Sequence, residues 1–189
     1  MSRALAVIMG LALLTGCVGY TTYPPADWQL ASDSISGPPA DELMTVSLRY
    51  VIDRYPPAGG GTIVVNLPEG VNDRAYGVIA SRVGGDVVPM ARGLEGLPTY
   101  HVTRIWVRGT KAEVDVLRPV GELGASPTGR PIIQAMTVRL EGGVREWHVV
   151  RTRPWVIGEE EVPSPHYYGE ESEGSPDGGA PDGGVDLDS

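Results

Sequence analysis

The chain has 189 residues, with 24 Asp and Glu against 15 Lys and Arg, a net charge of −9 and a single cysteine. One cysteine excludes a disulfide framework. Ten of the acidic residues follow residue 158 with no Lys or Arg among them, so residues 1–158 hold fourteen acidic and fifteen basic side chains and lack the basic excess that nucleic-acid binding requires.

The N-terminus reads MSRALAVIMGLALLTG: one cation at Arg3, an apolar run from Ala4 to Leu14, then Thr15 and Gly16 before Cys17. This is the three-part build of an export signal, and its apolar run is too short for a membrane-spanning helix, which takes about 20 residues. The tetrapeptide Leu14, Thr15, Gly16, Cys17 resembles the lipobox of bacterial lipoproteins. That resemblance implies cleavage after Gly16, a diacylglyceryl group on the Cys17 sulfur and acylation of the new amino group, which together hold a protein on a bilayer. Residues 1–16 are thus expected to be a signal peptide, and the membrane is the expected partner through Cys17. The expected location is the cell envelope. In a two-membrane organism Val18, in place of an Asp after the cysteine, implies the outer membrane by resemblance to enteric lipoproteins. Residues 17–40 form the lipidated N-terminus and a tether rich in Gly, Pro, Ser and Thr.

Residues 41–158 are long enough for one domain with its own core. In DELMTVSLRYVIDRY, Asp41 serves as N-cap, and Met44, Leu48, Val51, Ile52 and Tyr55 recur at three-and-four spacing, which predicts a helix ending before Pro56. The β-branched run Thr62 to Leu67 predicts a strand. A second helix follows, capped by Asn72, with an Ala75, Ile79, Val83 stripe and Gly84 or Gly85 as its end. DVVPM predicts at best a short edge strand, since Pro89 lacks a donor.

Two hairpins follow. A two-residue turn at Gly109 and Thr110 pairs Val107 with Ala112, Ile105 with Val114, Thr103 with Val116 and His101 with Arg118 on the inner face, and sets Arg104 against Asp115 outside. A turn at Gly142 and Gly143 pairs Val138 with Trp147, Met136 with Val149 and Gln134 with Arg151 inside, with Arg139 against Glu146 and Thr137 against His148 outside. The fold class is α+β: one or two N-terminal helices on a curved antiparallel sheet of about four to six strands. This element order resembles the NTF2-like fold, which implies a pocket between sheet and helices. Residues 159–189 read as a disordered acidic tail.

No nucleophile with a paired base, carboxylate dyad or metal-ligand spacing stands out, so no catalytic residue, cofactor or metal is expected. Glu146 and His148 share a face but fall short of a ligand set, and the glycines of PPAGGGT precede their strand and lack the Lys and Ser/Thr of a phosphate loop. The tail's SPDGGAPDGG does not meet the spacing of a calcium repeat. Two clusters remain. His101, Arg118, Gln134 and Arg151 would line a polar pocket at the open end of the sheet, or meet solvent there. Arg104, Trp106 and Arg108 would form a partner surface for an envelope protein or glycan, or be covered by the tether. The expected function is a non-enzymatic binding or scaffolding lipoprotein at the cell envelope, with a ligand-binding module or a hydrolase- or isomerase-type enzyme using an NTF2-like pocket as the alternative.

Cys17→Ala is expected to leave the chain unprocessed and to remove it from the membrane fraction. The fractionation pattern and the mass of the mature chain check this, and an unchanged result refutes the anchor.

Overall fold

The computed structural model describes residues 20–25, 35–123 and 126–170. The expected signal peptide, Cys17, most of the tether and residues 171–189 lie outside the described residues.

The first helix among the described residues, α1 (Ala40–Arg54), buries Met44, Leu48, Val51 and Ile52 of the predicted stripe and adds Leu43, while Tyr55 falls just outside it as the C-cap. It is not capped by Asp41. Pro39 occupies the N-cap without a side-chain hydrogen bond, and Asp41 sits in the first turn, where its charge faces the positive end of the helix dipole. After strand β2 (Ile63–Asn66), Asn72 caps α2 (Asp73–Val83) as expected, its Oδ1 accepting from Ala75 N at 2.9 Å, and Gly84 ends it at φ 88°. The face that α2 buries is Tyr76, Ile79, Ala80 and Val83.

Among the described residues the sheet has seven strands, β1 (Tyr20–Tyr23), β2, β3 (Val87–Pro89), β4 (Thr99–Arg108), β5 (Lys111–Pro119), β6 (Ile133–Glu141) and β7 (His148–Gly158), in the order β3, β2, β4, β5, β6, β7, with β1 beside β4. Strands β4, β5, β6 and β7 form the expected antiparallel meander. The sheet is mixed rather than wholly antiparallel. β2 pairs parallel with β4 on one side and with β3 on the other. β3 is the edge strand that Pro89 permits. Two expected boundaries also move. Part of the tether is strand β1 (Tyr20–Tyr23), paired with Arg108 to Ile105 of β4, and the fold continues past residue 158 into an arm that reaches residue 170.

The first hairpin keeps the expected pairs Val107 with Ala112, Ile105 with Val114 and Arg104 with Asp115, but a bulge at Thr103 then shifts the register. A strict alternation would have turned Tyr100 and Val102 outward; with one extra residue, both join Ile105 and Val107 in the core at 0 to 3 % exposure. His101 consequently stands opposite Leu117, not Arg118. Tyr100 reaches α1, its hydroxyl donating to Tyr55 O at 2.6 Å, so His101 and Asn66 beside it lie on the opposite face of the sheet.

The second hairpin departs further. Strand β7 resumes at His148 opposite Glu141, and Arg139 faces Arg151 while Gln134 faces Ile157. The expected pairs of Val138 with Trp147, Met136 with Val149, Arg139 with Glu146, Thr137 with His148 and Gln134 with Arg151 do not form. The cause is the burial of Trp147. Its indole folds back over Gly142, where an added Cβ would lie 2.7 Å from Trp147 Cα, and its backbone N–H donates to Glu42 Oε1 of α1 at 3.4 Å. A longer connection, 142–147, therefore replaces the two-residue turn.

Between helices and sheet lies one apolar cluster that includes Leu48, Val51, Ile105, Val114, Met136 and Trp147. Trp147 is 6 % exposed and His148 is exposed. Trp147→Ala is expected to cost about 3 to 5 kcal/mol and His148→Ala less than about 0.5 kcal/mol, measured by denaturant unfolding. Equal losses would refute this packing.

Candidate functional site

Beyond β7 the chain returns across the end of the sheet and is fastened there mostly through its backbone. His166 N donates to Asn66 Oδ1 at 2.8 Å, Ser164 O accepts from Asn66 Nδ2 at 3.2 Å, Tyr168 N donates to Met90 O at 2.8 Å and Gly169 N donates to Asp73 Oδ1 at 3.1 Å. Side chains add to this. Tyr167 donates to Glu95 Oε1 at 3.1 Å, and Glu170 pairs with Arg92. The rings of His166 and Tyr168 pack against Tyr76, with centroids 5.3 and 5.9 Å away.

Tyr76 anchors the floor beneath that arm. Its hydroxyl donates to Val65 O at 2.7 Å and accepts from Leu67 N at 3.2 Å and Met90 N at 3.3 Å, tying α2 to the ends of β2 and β3. Burial pushes its pKa up to about 12, against the lowering effect of the two backbone donors.

Between the arm, the β3–β4 connection and the start of β6 lies a cavity of about 550 Å³, within the size range of small-molecule sites. Its walls are apolar. Pro57, Pro98, Pro119, Pro131, Pro163 and Pro165 contribute ring carbons and no N–H, and Met90, Leu97, Ile133 and Val162 add to them. The polar side chains on the wall are Glu95, Thr99, His101 and Ser164. His101, 7 % exposed, receives the second Asn66 amide hydrogen on its Nδ1 at 3.1 Å. Burial pushes its pKa down to about 4, so the ring is neutral at pH 7.

Of the four residues expected to share a pocket, the structure brings only His101 to the cavity. Arg118 lies on the inner face, where its Nε donates to Gln134 Oε1 at 2.9 Å and its guanidinium stacks 4.7 Å from the Tyr55 ring. Gln134 donates on to Trp155 O at 2.9 Å. Arg151 is exposed on β7 opposite Arg139. Arg118 and Gln134 are thus satisfied by each other at the rim of the core, as buried polar groups must be.

The Arg104, Trp106, Arg108 row lies on β4 of the outer face. Arg104 is engaged by Asp115 at 2.6 Å and Glu113 at 3.2 Å, Trp106 is half-buried with Thr22 of β1 paired beside it, and Arg108 is exposed. The more exposed tryptophan of this face is Trp155, at 45 %, with Arg153 4.0 Å above its ring and its Nε1 donating to Thr137 Oγ1 at 3.0 Å. Glu146 and His148 are both exposed, and among the described residues no group of three or more His, Cys, Asp or Glu could hold a metal ion.

Sequence reasoning missed Asn66 and the arm. Asn66 carried a signal, for it is the one polar residue closing the apolar run TIVVN, and it is 2 % exposed. The arm's signal was its composition: VPSPHYY supplies apolar and aromatic surface within an otherwise acidic segment. No protein-family model, curated protein or solved structure matches the chain.

The depressed pKa of His101 has a consequence for stability. Between about pH 4 and the ordinary value of 6.5, the unfolded chain takes up a proton that the folded chain refuses, so this contribution is complete above pH 6.5 and is lost as the pH falls toward 4. His101→Gln is expected to lose less stability than the parent chain between pH 7 and pH 4.5. Denaturant midpoints at the two pH values test this, and parallel losses would refute it.

Proposed function

We propose that the described domain is a non-catalytic binding module that takes a small apolar molecule into the His101 cavity, and that Cys17 carries it on a lipid anchor in the cell envelope. The observation behind this reading is the cavity, whose apolar walls surround one buried, neutral histidine. Histidine in this state can hydrogen-bond a ligand, but its nitrogen facing Asn66 is already occupied. The enzyme alternative rested on a pocket between helices and sheet, in the manner of the NTF2-like fold. In this chain that space is filled by side chains such as Val51, Ile105, Val114 and Met136, all fully buried, and the cavity lies instead at the end of the sheet under the arm.

Titration of the full chain with the neutral fluorophore N-phenyl-1-naphthylamine is expected to give saturable, one-to-one binding. Ser164→Arg, which sets a charge at an exposed position of the cavity wall, is expected to weaken it by about tenfold, since a charge beside an apolar ligand must be desolvated. Absence of saturable binding, or no effect of Ser164→Arg, overturns the assignment.

A further inference from the structure

Resting on the binding reading above, we infer that the cavity selects a neutral ligand with an apolar chain and one carbonyl oxygen, an acyl ester or amide rather than the matching carboxylate, with the carbonyl accepting from His101 Nε2.

The first step is the direction of each hydrogen bond. Asn66 Oδ1 accepts from the backbone N–H of His166, which orients its amide. Its nitrogen therefore faces both Ser164 O and His101 Nδ1. An amide nitrogen only donates, so His101 Nδ1 must be the acceptor, and the proton of the neutral ring is on Nε2. The tautomer follows from the partners of Asn66. Nε2 has no partner among the described residues, and the ring lines the cavity. A donor so placed is open to an acceptor oxygen on a ligand.

The second step is charge. Among the described residues no Lys or Arg side chain lines the cavity, and the ionised group on its wall is Glu95. The Glu95 carboxylate, exposed at the cavity mouth, is hydrogen-bonded by its own backbone N–H, by Tyr167 Oη at 3.1 Å and by Gly93 N at 2.9 Å, and these bonds hold its pKa below the usual range. A carboxylate ligand would enter an apolar space without a counter-charge and beside a like charge. A cationic head would be drawn to Glu95, whose two oxygens already accept from Tyr167 and Gly93, and would leave the His101 Nε2–H unpaired, since the ring's one lone pair is taken by Asn66. A neutral carbonyl meets neither obstacle.

The third step is the remaining wall. Six of the lining residues are prolines, which offer a ligand hydrocarbon contact and no further N–H. A ligand with several acceptors would leave most of them unpaired, whereas an alkyl chain carrying one carbonyl would not.

Methyl decanoate, decanoate and decane, each competed against N-phenyl-1-naphthylamine on the full chain at pH 7.5, test the inference. The ester is expected to bind at least tenfold more tightly than the carboxylate. Glu95→Gln is expected to narrow that gap, and His101→Phe to weaken the ester severalfold while leaving decane unchanged. In the unsubstituted protein, ¹⁵N resonances of His101 are expected to show the Nε2-protonated tautomer, with the Nε2 signal moving on addition of the ester and not of decane. This readout stands even if His101→Phe fails to fold. Equal or tighter binding of decanoate, or an Nδ1-protonated ring, overturns the selectivity while saturable fluorophore binding leaves the binding module intact. Loss of fluorophore binding in the parent chain overturns both.

Discussion

A single buried amide holds three parts of this protein together at one point. Asn66 ends β2, reaches across to His101 at the start of β4, and holds both Ser164 and His166 of the arm. Both of its donors and its carbonyl oxygen are used. A buried amide is stabilising only when so completely paired, because each lost partner leaves a desolvated dipole. Its geometry therefore propagates: if the amide turned over, the histidine would lose its acceptor role and the arm would lose two fastenings together. The shape of the cavity and the proton position on its histidine depend on the same group.

The parallel strands explain why that point exists. β2 is short and pairs with only the first residues of β4, while β1 pairs with the later ones, Ile105 to Arg108. Two short strands thus share one side of a long one. Asn66 sits at the end of β2, where the apolar cover stops, and the arm closes over it. On the outer face, the ion pairs linking Arg104, Asp115, Glu113 and Arg139 are half-exposed, so each adds little on its own; their arrangement fixes which face of the meander is wet.

Local pattern was legible where the chain's neighbours were close in sequence. Both helices, the cap at Asn72, the stop at Gly84 and the first pairs around Gly109 and Thr110 follow from spacing and turn chemistry. The bulge at Thr103 was half-legible, since strict alternation would have put Tyr100 and Val102 outside and Thr103 inside, an arrangement that sacrifices two large apolar groups. The second hairpin was hidden because Trp147 is buried against α1 and Gly142, and a contact with a helix one hundred residues earlier leaves no mark on a period-of-two pattern. The arm was obscured by averaging: its acidic ends, Glu159 to Glu161 and Glu170, concealed a short segment of proline and aromatic residues that packs. His101 stood out as polar within an apolar strand, but the bulge carries it to the opposite face from Arg118 and Gln134, which stay on the inner face, and the shifted register of β7 sets Arg151 opposite Arg139.

The arm also divides the sequence into parts that can diverge at different rates. It is held largely by main-chain groups of Ser164, His166, Tyr168 and Gly169, whereas Pro163, Ser164 and Pro165 present exposed side chains to the cavity. Substitution at those exposed positions changes the wall without removing a main-chain fastening, while Asn66, Tyr76 and His101 are bound into the fold. On the proposed binding reading, ligand preference is free to drift within these three residues near the end of the domain while the scaffold stays constant.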